Sequence, residues 1–388
     1  MIKKVIYIGY QPITSKFYSD YYIDMCIRKG LEVEYWDISK LYFPKLNFAI
    51  PFDFAGIKNI KSFSELKAFL SSVEVKSTVF ISNITYEYRV RRLFILLSTF
   101  NCTIAFFGRG MFPAPDKTDT SKILEVILRF DFKRIVTGLK NKVATMLKQY
   151  EIVKPYDFIF RAGSEGVKTI GFGYQLELQK SKIIDLNYFD YDKYSESING
   201  IQIIEKVNCV FLDEYLPYHP DFVMLGIKTV TAETYYSQLN RFFDFIESKY
   251  NISVIIAAHP KAHKYKSENP FNGREIVFNR TCELVRDAVF VMTHYSSSIS
   301  YPVLFKRPIL FLTSQSQKIT MPYSHELTLY LGKFLNSSVI HFDSYNGEDI
   351  TLKVDIEKYE DYKYKYLTSK ESENRQSSEI FIEAIVQI

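Results

Sequence analysis

In the second half of this chain an acidic pair, a histidine and a run of serines each follow directly on an apolar run. The first segment reads Phe211-Leu-Asp213-Glu214-Tyr-Leu-Pro217-Tyr-His219-Pro220. A carboxylate held at a strand end and stiffened by a following proline can act as general base or nucleophile. It can equally do no more than cap a turn. The second segment is Val254-Ile-Ile-Ala-Ala258-His259-Pro260-Lys261. An imidazole there can donate to a phosphate and later protonate a leaving group, with Pro260 fixing the backbone and Lys261 adding a charge. Most lone histidines are structural, but a strand-end His-Pro after small alanines favours a working role. His263 and Lys264, further on, read as solvated.

The third segment is Val291-Met-Thr293-His294-Tyr295-Ser296-Ser297-Ser298-Ile-Ser300. Hydroxyls and unpaired N–H groups at a helix start form an anion site. Simple capping accounts for one serine, not for Ser296, Ser297 and Ser298 together with Thr293. Before it, Phe271-Asn-Gly273-Arg274 is a turn presenting a cation, which suits Arg274 to a phosphate or to plain solvent.

These segments can cooperate only if a sheet brings them to one edge. The second half alternates in the way that requires: strand Asn208–Leu212, amphipathic helix Thr231–Tyr250, buried strand Ile252–Ala258, helix Thr281–Arg286, strand Ala288–Met292, helix Ser296–Phe305, strand Pro308–Leu312. Open α/β sheets bind ligands at the carboxyl ends of their strands, where all three segments fall. The first half also alternates. Strand Val5–Ile8, helix Tyr18–Lys29 stopped by Gly30, strand Leu31–Trp36, helix Ser64–Ser72, strand Thr78–Ser82, helix Tyr88–Thr99, strand Cys102–Phe107 and strand Tyr156–Phe160 follow one another. The pattern predicts an α/β chain of two Rossmann-like domains, 1–190 and 200–345, joined through the polar stretch Asp185–Ser197. A charged tail, 346–388, ends in a closing helix over Ser378–Ile388 that packs back toward the first domain. The first βα turn, Gly9-Tyr-Gln-Pro-Ile-Thr-Ser15, lacks G-x-G-x-x-G, and neither a P-loop nor H-E-x-x-H occurs, so NAD and ATP chemistry lose their usual support.

At 388 residues the chain is long enough for two full cores. Forty-nine Lys+Arg against 44 Asp+Glu, a formal +5, is too mild for a nucleic-acid binder. Cys26, Cys102, Cys209 and Cys282 form no CxxC pair, which argues against a disulfide framework or structural zinc and for a cytoplasmic protein. The N-terminus does not read as a signal peptide. The uncharged runs Leu93–Gly108 and Ala288–Phe305 are broken by Asn101 and Thr103 and by Thr-His-Tyr-Ser-Ser-Ser, so no membrane span is expected. A basic helical segment, 116–154, stands apart. Within Leu128–Lys148, Arg129, Lys133, Arg134, Lys140, Lys142 and Lys148 oppose Asp131 alone, and Phe130, Ile135, Val136, Leu139, Val143, Met146 and Leu147 make an apolar stripe. That is the pattern of an interfacial helix on an anionic membrane, or of a solvated helix with its apolar side in the core.

Residues 208–315 resemble bacterial GT-B glycosyltransferases that use CMP-activated ulosonic acids: the sialyltransferases and related Kdo, pseudaminic and legionaminic acid transferases of surface polysaccharides. Asp213-Glu214, His259-Pro260 and Ser296-Ser297-Ser298 match their acidic, His-Pro and Ser/Thr-rich elements in kind and order. A weaker likeness covers Asn187-Tyr-Phe-Asp-Tyr-Asp192. The departure is Tyr215, where the family carries glycine. The resemblance implies a GT-B fold, two Rossmann-like domains facing across a cleft, with the acceptor on the first and the CMP-sugar on the second. It implies no metal and no cofactor beyond the donor, whose single phosphate the Ser hydroxyls, helix N–H groups and His259 neutralise. It further implies a nucleotide sugar and an oligosaccharide or lipid-linked glycan as partners. Asp213 would act as base in an inverting transfer, or as nucleophile in a retaining one. Successive residues at a strand end point to opposite sides, so Glu214 becomes the orienting partner. The alternatives are a UDP- or GDP-sugar transferase of the same fold and a non-catalytic membrane-surface partner in polysaccharide assembly.

Overall fold

The structure, a computed structural model, describes residues 2–44, 52–115, 132–171, 174–201, 206–224 and 227–387. The chain forms two compact units. One comprises Met1–Met111, Lys117–Phe189 and Thr368–Ile388; the other comprises Phe112–Asp116 and Asp190–Leu367.

The first unit holds a parallel sheet of β1 (Lys4–Gly9), β2 (Glu32–Asp37), β3 (Ile57–Asn59), β4 (Thr78–Ser82), β5 (Thr103–Phe107), β6 (Phe158–Ala162) and β7 (Lys182–Leu186), in the order β3-β2-β1-β4-β5-β6-β7. The second unit holds a parallel sheet of β8 (Asn208–Leu212), β9 (Ser253–Ala258), β10 (Ile276–Phe278), β11 (Val291–Thr293), β12 (Ile309–Thr313) and β13 (Val339–His341), in the order β10-β9-β8-β11-β12-β13. Counted within the unit, that is the 3-2-1-4-5-6 order of a Rossmann sheet. The chain is a two-domain α/β protein.

Alternate residues of each strand feed two cores. Ile6 and Ile8 pack with Trp36 and Phe80 on one face of the first sheet, Val5 and Tyr7 with Tyr35 and Val79 on the other. Cys209 and Phe211 face one core of the second sheet, Val210 and Leu212 the other. Burial on both faces is why these strands read as unbroken apolar runs rather than as alternation. The helix Ala232–Tyr250 lays Tyr235, Tyr236, Leu239, Phe242, Phe243 and Ile246 on the Phe211 side.

Three expectations change. Tyr18–Lys29 is not one helix but Ser15–Asp20 followed by Ile23–Arg28, because Tyr22 takes a left-handed conformation (φ 58°) between them. Of the C-terminal tail, the stretch up to Leu367 belongs to the second unit, where Tyr359, Tyr362, Tyr366 and Leu367 are buried despite the charges around them. Thr368 onward joins the first unit, and Ile380, Phe381, Ile382 and Ile385 of the helix Ser377–Val386 complete its core.

The third change concerns the basic helix, described as Phe132–Gln149. Arg129, Phe130 and Asp131 lie outside the described residues, as do the side chains of Lys133, Arg134, Ile135 and Val136. Lys148 is not on a basic outer face: it is buried, ion-paired with Glu177 and packed on the rings of Tyr86 and Tyr156 at 4.9 and 4.1 Å. Three residues of the apolar stripe face outward, while Leu147 packs against the core. Leu139 is 58%, Val143 46% and Met146 49% exposed, while Asn141, Ala144 and Lys148 face inward. Among the described residues no helix is long and apolar enough to cross a membrane.

Candidate functional site

In the second sheet the strand order reverses between β8 and β11, and a parallel sheet leaves a crevice beyond its strand ends at such a switch point. Leu212 is level with Ala257 of β9 on one side and with Thr293 of β11 on the other. The next residues along, Asp213 and Glu214, therefore stand between the ends of both neighbours. All three polar segments meet there.

Glu214 bridges the crevice. Its Oε1 accepts from Thr293 Oγ1 (2.8 Å), Tyr295 N (3.0 Å) and His294 N (3.2 Å). The anion cradle expected at the serine segment thus exists, but the protein fills it with its own carboxylate. Thr293 is engaged by Glu214 and is not open to a phosphate, a correction to the reading of it as a binding residue. Ser296 caps the N–H of Ser298. Ser297 is exposed, and its hydroxyl and that of Ser298 have no protein partner among the described residues. His294 is structural: its ring bridges Tyr235 Oη (2.8 Å) and Leu312 O (2.6 Å), and burial pushes its pKa down to about 4.

Asp213 is 4% exposed; among the described residues neither carboxylate oxygen has a well-formed hydrogen bond, and only the Tyr215 and His259 N–H groups and the Tyr265 hydroxyl stand close to it. Its own N–H donates to Ala257 O (3.1 Å), so the sheet ladder sets its position. Burial first, and then the Glu214 charge, push its pKa up to about 7; the nearby Tyr215 and His259 N–H groups and the Tyr265 hydroxyl offset this only in part. Burial raises Glu214 to about 7 as well, against the pull of its donors. A carboxylate poised near neutrality, fixed by backbone and only weakly engaged, is suited to take a proton.

Beside it lies His219, a residue whose type and spacing alone do not mark it as part of the site. His219 packs edge-on against His259, ring centroids 4.8 Å apart and planes at 63°. The two loops mirror each other: His219 Nδ1 accepts from Asp221 N (3.2 Å), His259 Nδ1 from Lys261 N (3.1 Å), and Lys261 Nζ joins Asp221 at 2.8 and 2.9 Å. An Nδ1 that accepts leaves the proton of a neutral ring on Nε2. Burial lowers both pKa values, His259 to about 4 with His219 and Lys261 adding to the effect. The pair therefore offers two neutral N–H donors. The repeated His-Pro, at 219–220 and 259–260, was the available signal.

Two expected cations are otherwise engaged. Lys261 belongs to the Asp221 ion pair. Arg274 is corrected outright: it precedes β10, level with Val254 at the start of β9, about 16 Å along the strand from His259. Its guanidinium is held by Glu247, Asp244 and Asn240 of the helix Ala232–Tyr250. Tyr215 explains the departure from glycine noted above. It is left-handed (φ 56°), a conformation that costs a non-glycine residue about 1–2 kcal/mol. Its ring packs edge-on to Tyr265 at 5.1 Å and against Tyr218 at 5.5 Å, contacts that hold it there.

No known family and no curated protein matches this sequence. Solved structures give a likeness at the level of the whole chain. UDP-GlcNAc 2-epimerase from Methanocaldococcus jannaschii aligns over 99% of this chain and 100% of its own, at 11% identity and TM-score 0.45. The wall teichoic acid polymerase TagF aligns over 81% of this chain and 72% of its own, at 12% identity and TM-score 0.41. The calicheamicin glycosyltransferase CalG4 aligns over 88% and 86%, at 10% identity and TM-score 0.38. Likeness of this degree says nothing of this chain's reaction.

Proposed function

We propose that the chain is a glycosyltransferase of the GT-B kind that transfers a sialic-acid-like or Kdo-like 2-keto sugar from a CMP-sugar to a glycan acceptor in bacterial surface polysaccharide synthesis. The observation that carries this is Asp213: a backbone-fixed, weakly engaged carboxylate near neutral pKa, at the switch point beside two imidazole donors. In this reading Asp213 takes the proton of the acceptor hydroxyl as it attacks the anomeric carbon, and Glu214 ties the ends of β8 and β11 together. His259 and His219 donate Nε2–H to the departing phosphate, and the Ser297 and Ser298 hydroxyls add neutral donors. A set of neutral donors suits the single phosphate of a CMP-sugar. A UDP- or GDP-sugar calls for an additional cation, and Lys261 and Arg274 are both held by carboxylates. The reading assigns no metal.

The test is donor hydrolysis and nucleotide binding with CMP-, UDP- and GDP-sugars. Turnover of CMP-sugars alone is expected; turnover of UDP- or GDP-sugars instead would replace the donor, and turnover of none would remove the enzyme reading. A hydrogen bond to a charged group contributes about 1.5–3 kcal/mol. His259→Ala is therefore expected to weaken CMP binding about tenfold or more, and His219→Ala to weaken it comparably. Unchanged CMP affinity in both would take the histidine pair out of the site.

The acceptor is proposed to be lipid-linked, with the helix Phe132–Gln149 resting on an anionic membrane. Its exposed Leu139, Val143 and Met146, spaced on one side, continue into exposed Tyr150 and Ile152, with exposed Lys140 and Lys142 beside them. Basic residues near such a surface contribute about 1 kcal/mol each. Salt-sensitive co-sedimentation with phosphatidylglycerol vesicles is expected and should be lost in Leu139→Asp/Met146→Asp. Absence of binding at low salt would end this part of the reading.

A further inference from the structure

The first sheet has a switch point of its own, between β1 and β4, where the strand order reverses. Near the carboxyl ends of these strands lies a pocket of about 700 Å³ lined by Glu87, Tyr88, Arg89, Arg91, Lys140 and Asn141. Its size is within the range of small-molecule sites, roughly 300–1,000 Å³. Three cations face one carboxylate.

Their geometry is prepared. Arg91 stacks on the Tyr88 ring at 3.8 Å and donates Nη1–H to Tyr88 O at 2.9 Å, leaving the other edge of its fork without a protein partner among the described residues. Arg89 is held over the rings of Tyr10 and Phe43 at 5.8 and 5.4 Å and by Glu87 at 3.0 Å. Lys140 stands 6.0 Å from the Tyr88 ring and has no carboxylate partner among the described residues. Asn141 is 9% exposed; its Oδ1 accepts from Tyr88 N, and its Nδ2 has no partner among the described residues.

The local electrostatics are unfavourable as they stand. Arg91 and Arg92 open the helix Arg91–Thr99, which has no acidic residue in its first turn and no side-chain cap. Cations at a helix N-terminus oppose its dipole, and Arg89 adds a third charge just before it. An arrangement that breaks a local rule in this way, around a preformed cavity with an unengaged amide donor on a largely buried asparagine, is what an anion would relieve. Aromatic-pinned arginine forks recognise phosphate by paired hydrogen bonds.

We propose that this pocket binds a phosphate monoester, through Arg91, Arg89, Lys140 and the Asn141 amide. The phosphate arrives either on a soluble molecule or on a lipid headgroup. This stands on observations separate from the donor site and does not depend on the proposed reaction.

The experiment uses the full chain with two probes: inorganic phosphate, followed by calorimetric titration, and vesicles of phosphatidylcholine with or without phosphatidic acid, followed by co-sedimentation. Arg91→Ala is expected to weaken the phosphate-dependent signal about tenfold or more, and Arg91→Lys to restore part of it. Arg91-sensitive binding of inorganic phosphate identifies a soluble ligand. Arg91-sensitive binding seen only with phosphatidic acid identifies a lipid. Binding of neither probe, or binding indifferent to both Arg91→Ala and Arg89→Ala in chains that melt like the parent, overturns the proposal.

Discussion

Asp213→Asn is expected to lower glycosyl transfer by about 10²–10⁴-fold, the usual loss when a positioned general base is removed, while leaving nucleotide affinity unchanged. The separation follows from placement. The carboxylate sits at the end of β8 with neither oxygen in a well-formed hydrogen bond among the described residues, whereas the proposed phosphate donors are His259, His219, Ser297 and Ser298. In the parent protein the rate should rise with pH through about 7, as Asp213 ionises, and Asp213→Asn should lose that limb.

Stability should move the other way. The folded pKa lies near 7 for both acids, while an unfolded carboxyl titrates near 4. Over the window from about 4 to about 7 the folded state therefore binds more protons than the unfolded state, and stability falls as pH rises. Asp213→Asn removes part of that fall, so at pH 8.5 its melting temperature should equal or exceed the parent's. A variant that is slow because it is unfolded would melt lower, which keeps the two explanations apart. Near-parent transfer in Asp213→Asn, with the loss appearing in Glu214→Gln instead, would reverse the roles of the pair.

Lys148→Met is expected to cost about 3–5 kcal/mol of stability, the range for removing one partner of a buried ion pair. Glu177 is fully buried, and besides Lys148 it accepts, among the described residues, only from Tyr156 N and Ser181 Oγ, so the substitution strands a carboxylate in the core. Burial already lowers the Lys148 pKa despite the attraction of Glu177. The double variant Lys148→Met/Glu177→Gln should recover most of the loss, because it removes the stranded charge. Denaturant unfolding measures both. A single variant within about 1 kcal/mol of the parent would mean that the pair contributes no more than a surface bridge.

Much of the site was legible because its positions are local. A buried strand is an apolar run, and the first polar residue after it must lie at the sheet edge. That placed Asp213 after Asn208–Leu212 and His259 after Ile252–Ala258, and the observed strands are Asn208–Leu212 and Ser253–Ala258. The two-domain α/β class was legible for the same reason. The edge strands β3, β7, β10 and β13 were not, since an edge strand is only partly buried and is too short or too mixed to leave a long unbroken apolar run. The apolar stripe of the helix Phe132–Gln149 was visible as a stripe, but its exposure and the inward turn of Lys148 were not. Helical periodicity says which residues share a face and not which face is covered.

The local run of residue types thus determined the elements and the chemistry at their ends. Strand order was decided by tertiary structure alone, because it depends on where each crossover helix packs, and strand order is what makes the ends of β8 and β11 a crevice. It also decided which polar groups are already satisfied. Glu214 occupies the hydroxyl and N–H groups of Thr293, His294 and Tyr295, about eighty positions away in sequence. Arg274 is drawn to the carboxylates of the helix Ala232–Tyr250 at the opposite sheet edge, and His219 is brought against His259. Hydrogen bonds and ion pairs between distant residues form only once the sheet has set their separation, so residue type and spacing along the chain cannot assign them.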